Sequence, residues 1–168
     1  MVQLQLDKFD LKIMALLESD GRQRINKIAD SVGLSPPACH NRVVKLESFG
    51  YIKGYFALLD HKKIGKGVTS VIFLDFKDHS IDLRKNVLSS IANIEEVTEV
   101  LHITGEHDLL LRVLVSSVEQ LHQLVNEKLS SITGVEKVHT SMVLNVVKPM
   151  YEKIKKKRKL AQENMLFK

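Results

Sequence analysis

Residue types that do chemistry are thinly spread in this 168-residue chain, which holds seven histidines and a single cysteine. There is no G-x-S-x-G to expose a nucleophilic serine, no Walker loop to cradle phosphates and no His-Glu-x-x-His to hold zinc on one helix face. Gly65-Lys66-Gly67 lacks the third glycine and the preceding strand of a dinucleotide loop. His102 and His107 stand five apart with no third ligand beside them, so neither a metal nor another cofactor is expected. One stretch does concentrate groups suited to recognition. After Ser35-Pro36, the residues Cys39, Val43 and Leu46 form an apolar stripe at i, i+4 and i+7. At about 100° per residue, Pro37, Ala38, Asn41, Val44 and Lys45 face away from that stripe, with His40 and Arg42 on its flanks. Asparagine pairs bidentately with adenine, valine meets a thymine methyl, and lysine or arginine reaches guanine or phosphate. A helix with such an outer face fits a major groove about 12 Å wide. Cys39 lies on the inner stripe, where cysteine acts as a small hydrophobe and not as a redox sensor.

The elements needed to carry that helix can be read around it. Asp7, with Asp10 three positions on, caps a first helix through Ile13 and Leu17, and Asp20-Gly21 is expected to end it with a left-handed glycine. Ile25, Ile28, Ala29 and Val32 make a second short helix with a poor cap at Arg24. Gly33-Leu34 turns the chain, Ser35 caps the third helix, Pro36 fills its first position and Gly50 closes it. Two short helices joined this way predict a helix-turn-helix. Residues 51–60 alternate enough to predict a linker strand, so residues 1–60 are read as one domain.

Residues 61–148 predict a second domain of strand, helix, strand, strand, helix, strand, an α+β, ferredoxin-like βαββαβ plan. Strands are expected at 68–77, 97–104, 109–115 and 135–147. Ser80 is expected to cap the first helix, Ser116 or Ser117 the second, and Gly134 to end the second. Such a sheet has helices on one face only. The other, expected to carry Val71, Phe73, Leu110 and Val113, calls for a second copy, so a dimer through the sheets is expected.

The net charge of +5 points towards nucleic acid, but its distribution weakens that reading. Residues 1–60 hold 8 basic and 7 acidic groups (+1), residues 61–147 hold 9 and 11 (−2), and residues 148–168 hold 8 and 2 (+6). The excess therefore belongs to the tail, around residues 155–159. Pro149, with Met150 and Ile154 one turn apart, could start a helix, but a solvated terminus is expected, and it is expected to add sequence-independent phosphate contacts. A 44% hydrophobic fraction excludes wholesale disorder, and one cysteine excludes a disulfide framework. No apolar run approaches the roughly 18–20 residues that cross a bilayer, and the first ten residues lack a secretory pattern. A cytoplasmic protein without a membrane partner is expected.

The motifs together resemble the Lrp/AsnC, or feast/famine, family of transcription regulators. Leu6-Asp7, Asp10, Ile13, Leu17 and Asp20-Gly21-Arg22 are similar to its opening. Gly33-Leu34-Ser35-Pro36, Cys39, Arg42-Val43, Lys45-Leu46-Glu47, Gly50, Ile52 and Gly54-Tyr55 are similar to its recognition helix and exit strand. Thr104 to Leu110 resembles its Gly-x-aromatic-Asp turn, and Gly134-Val135 with Thr140, Val143 and Leu144 its last strand. The resemblance implies a winged or plain helix-turn-helix followed by a ferredoxin-like effector domain. It implies double-stranded DNA as partner and dimers building tetramers or octamers, with a small effector, usually an amino acid, held between dimers. Carried onto this chain, Ser35, Pro37, His40, Asn41, Arg42 and Lys45 are the expected DNA face. Thr104, Gly105, Glu106, His107, Asp108 and Thr140 are the expected effector wall.

The chain departs from the pattern at four places. His107 replaces the usual Tyr or Phe of the turn, Val138 stands where Thr is frequent, Val44 replaces a usual basic residue, and the basic tail is long. Two other functions keep the same architecture. Siroheme decarboxylases resemble the family and use second-domain histidines, for which His102, His107 and His139 are available. A ligand-sensing oligomer without specific DNA binding is the other. The complete Ser-Pro start and polar outer face favour the non-enzymatic regulator.

Overall fold

A computed structural model describes residues 5–148 and divides them into two compact units, one ending at Leu58 and the other spanning Leu59–Val147. The tail from Pro149, with its basic run, lies outside the described residues.

The first unit is three helices: α1 (Lys8–Ser19), α2 (Ile25–Val32) and α3 (Pro36–Ser48). Asp7 starts α1 through a reciprocal capping box. Its carboxylate accepts from the Phe9 and Asp10 N–H groups, and Asp10 accepts from the Asp7 N–H at 3.0 Å. Arg24 makes no side-chain cap at α2, as its type predicts. Gly33 closes α2 in the left-handed region at φ 77°, where a Cβ is costly. Ser35 then accepts from the Ala38 N–H, and Pro36 occupies a position that needs no donor. Ile13, Leu17, Ile28, Ala29, Val32, Cys39, Val43 and Leu46 form the buried core.

Two local expectations change. Gly21 is not left-handed, because α1 ends at Asp20 in extended backbone. Its smallness instead leaves room for Tyr55, whose Cδ1 lies 3.0 Å from where a Cβ would sit. Residues 51–60 form no strand, and the described residues of this unit carry no wing. A strand needs a ladder partner, and none of the described strands runs beside this segment, which leaves Tyr55, Phe56, Leu58 and Leu59 exposed.

In the second unit, a 3₁₀ turn (His61–Ile64) precedes β1 (Val68–Phe76), α4 (Ile81–Ala92), β2 (Val97–His102), β3 (Leu109–Val115), α5 (Val118–Gln123) and β4 (Val135–Met142). The residues after α5, Leu124–Leu129, are wound as a π-helix. The sheet order is β2-β3-β1-β4 with every neighbour antiparallel, the ferredoxin-like plan. Ser117, not Ser116, caps α5 by accepting from the Gln120 N–H, while the Gln120 side chain reaches back to Ser116. Ser80 makes no side-chain cap at α4; its own N–H donates to Asp78. Gly134 sits at φ 107°, where a Cβ would also lie 2.6 Å from Leu83 Cδ2 and 2.9 Å from Val87 Cγ2. No helix among the described residues is long and apolar enough to cross a membrane.

Alternation along the strands decides which residues face the helices. Ile72, Leu74, Phe76, Leu109, Leu111, Val113 and Val115 are buried with Val87, Ile91, Leu121, Leu124 and Leu129. Val113 therefore leaves the open face, since it shares the period-2 side of Leu109 and Leu111. The open face keeps Val71, Phe73, Leu110 and Leu114, all half-buried, with Leu101 exposed.

Candidate functional site

The α3 helix offers the first site. Its inner stripe, Cys39, Val43 and Leu46, is buried, which fixes the rotation of the helix. Ser35, Pro37, His40, Asn41, Val44 and Lys45 are consequently exposed on the outer side. Burial also pushes the Cys39 thiol pKa upward, the direction opposite to a reactive thiolate.

Arg42 departs from this face. Its guanidinium contacts Asp10 at 2.7 Å and Asp7 at 2.8 Å and lies 5.3 Å over the Phe9 ring. Asp10 is buried, so the arginine supplies the counter-charge that a carboxylate there requires. The hydrogen bond to Asp10 is the main reason that the Arg42 pKa rises further. The Asp10 backbone N–H does most to hold the Asp7 carboxyl below the ordinary range, against some desolvation and with help from Arg42. Arg42 thus joins the start of α1 to the middle of α3, with Asn41 and Lys45 lining the same shallow depression as Asp7, Asp10 and Arg42.

A similar support holds the end of α3. The Tyr55 hydroxyl donates to Glu47 at 2.9 Å, and partial desolvation of the hydroxyl followed by that carboxylate pushes its pKa up to about 12.

The second site is the turn between β2 and β3. Gly105, at φ 123°, supplies the backbone geometry, and Thr104 and Glu106 are exposed. Asp108 ties the turn to the end of β1: its carboxylate accepts from the Phe76 N–H at 2.8 Å and its own N–H donates to the Leu74 carbonyl at 3.2 Å. Asp108 is therefore an architectural residue of the turn. His107 turns to the open side of the sheet, where its Nδ1 lies 2.9 Å from Asp75 Oδ1 and its ring centroid 4.9 Å from Phe73 and 5.0 Å from His139.

Thr140 is not brought to this group. It pairs with Ile72, which faces the helices, whereas its neighbour His139 pairs with Phe73 on the open face. Directly paired residues share a face, so Thr140 and His107 belong to opposite sides of the sheet. Sequence spacing missed Asp75 altogether, because His107 is 32 positions away and only the β1 register joins them. The alternation of Val71, Phe73 and Asp75 along a strand was the one available signal.

Comparison with known proteins bears on both units. A family model for the AsnC-type helix-turn-helix domain matches residues 6–47, and one for the Lrp/AsnC ligand binding domain matches residues 69–152. The chain is 35% identical over 147 residues to the proline dehydrogenase transcriptional activator of Rhizobium radiobacter, covering 85% of this chain and 92% of that protein. It is 33% identical over 147 residues to the leucine-responsive regulatory protein of Rhizobium meliloti, covering 88% and 94%. Among solved structures, a Neisseria meningitidis transcriptional regulator in complex with L-Met is similar at a TM-score of 0.82 with 30% identity, covering 86% of this chain and 94% of that one. With one model on each unit and relatives along most of its length, the chain belongs to the Lrp/AsnC family of transcriptional regulators.

Proposed function

We propose that this regulator reads double-stranded DNA with the outer face of α3 and responds to an amino acid held near the β2–β3 turn. One observation carries the first half: a buried stripe of Cys39, Val43 and Leu46 leaves Asn41, Val44 and Lys45 together on the exposed side. Asn41 is suited to adenine, Val44 to a thymine methyl and Lys45 to guanine or phosphate, with Ser35, Pro37 and His40 nearer the helix start. Arg42 contributes by orienting α3 through Asp7 and Asp10. DNase footprinting of the full-length protein tests this reading. Asn41→Ala together with Lys45→Ala is expected to erase the protected sites while leaving the thermal unfolding curve in place. Unchanged footprints overturn the assignment.

The effector reading draws support from the match to the ligand binding domain and from the neighbour whose structure contains L-Met. In this chain Thr104, Gly105, Glu106 and His107 offer the wall, Asp108 holds the turn, and Thr140 takes part only from the other side of the sheet. The uncovered apolar face of the sheet favours a homodimer, which larger tetramers or octamers would repeat. An effector that binds one assembly better than another changes the spacing of paired recognition helices and so the affinity for half-sites about one helical turn apart. Calorimetric titration with each amino acid, repeated on Gly105→Val, measures this. No heat with any of them removes the effector reading.

A further inference from the structure

We infer that Asp75, His107 and His139 form a binding site for a divalent transition-metal ion, with zinc the best match. Three different elements bring these residues together. Asp75 is on β1, His139 is on β4 opposite Phe73, and His107 reaches over Phe73 from the β2–β3 turn. One potential ligand atom from each lies within 4.8 Å of the others. The closest pair, His107 Nδ1 and Asp75 Oδ1, is 2.9 Å apart.

Tetrahedral coordination with bonds of about 2.0–2.1 Å separates ligand atoms by roughly 3.4 Å. The closest pair lies inside that value and the others within 4.8 Å, so small side-chain rotations would close the site with the paired strands in register. Two imidazoles and one carboxylate suit a borderline ion such as Zn²⁺. Magnesium and calcium call for six or more oxygens, which this group lacks. Asp75 and His107 are each less than one-fifth exposed at the side chain, so little freedom is lost on binding, and His139 is exposed in the single chain. Three protein ligands leave a coordination position open. The turn does not depend on the Asp75–His107 bond, because Asp108 makes the backbone contacts that pin it. The inference stands on the three donors and does not require the turn to hold an amino acid.

Equilibrium dialysis of the full-length, metal-stripped protein against Zn²⁺, with Co²⁺ as a spectroscopic probe, tests the site in the absence of amino acids. One ion per chain is expected, with the visible absorption of tetrahedral cobalt and a rise in Tm that grows with metal concentration. Asp75→Asn, His107→Phe and His139→Ala should each abolish the cobalt band and weaken binding by more than about tenfold, since even outer-shell losses cost 10–100-fold. His79→Ala and His102→Ala should leave both unchanged. His139 is exposed, so its variant folds regardless of how His107→Phe repacks against Phe73. Absence of stoichiometric binding, full binding by His139→Ala, or loss of binding in His79→Ala overturns the site.

Discussion

Replacing Arg42 by alanine separates two roles that one arginine on a recognition helix can have. The guanidinium makes a charged hydrogen bond of 2.7 Å to Asp10, a buried carboxylate, and one of 2.8 Å to the more exposed Asp7. Truncation strands the Asp10 charge. A hydrogen bond to a charged group is worth roughly 1.5–3 kcal/mol, and Arg42 retains about a third of its exposure, so a loss of about 2 kcal/mol is expected. For a unit of this size that lowers the melting temperature by on the order of 10 °C. Arg42→Lys should recover only part of the loss, because its ammonium ends one bond short of the guanidinium Nη1 that makes both contacts. The difference should also depend on pH. The Asp7 carboxyl is held below the ordinary carboxylate range, so folding favours its ionised form. That contribution is present above the unfolded carboxylate value near 4 and fades as pH falls through the lowered folded value. Only Arg42's share of that lowering is lost in Arg42→Ala, so the gap between the two proteins should narrow in acid without closing. Differential scanning calorimetry from neutral to acid pH, paired with footprinting, measures both. Wild-type stability combined with altered preference at one base pair would refute the anchoring role and return Arg42 to the reading face.

Gly134→Ala should destabilise the second unit by about 1–3 kcal/mol, seen in urea unfolding, because the residue sits at φ 107° and its Cβ would press on Leu83 and Val87. Ser70 is fully buried with no hydrogen-bond partner for its Oγ among the described residues, so Ser70→Ala should be neutral or stabilising by about 1 kcal/mol in the same assay. Ultraviolet titration should find the Tyr55 phenol ionising near pH 12, and Glu47→Gln should bring that value down. The raised value favours folding below the unfolded tyrosine value near 10, a contribution lost as pH rises towards 12.

Local signals in this chain were legible wherever a residue acts on its own neighbours. The Asp7–Asp10 capping box, Ser35-Pro36 at the start of α3 and Gly33 at the end of α2 each concern groups a few positions apart, and each forms as its residue types dictate. Helical spacing likewise identified the buried stripe of Cys39, Val43 and Leu46, since 3.6 residues per turn leaves little choice of face. The order of strands and helices in the second unit followed from the same periodicities.

Long-range pairing decided the rest. Nothing local to Arg42 reveals that α1 places Asp7 and the buried Asp10 beside it, from 35 and 32 positions earlier in the chain. Gly21 looks like a helix terminator until Tyr55 arrives next to it. Residues 51–60 have a strand's composition, yet a strand exists only where another backbone meets its hydrogen bonds. Strand register assigned Val113 to the helix side, separated Thr140 from His107 and gathered Asp75, His107 and His139 on the open face. A shift of one residue in a strand reverses every side chain, so which donors meet across the sheet is a property of the pairing and not of any one segment.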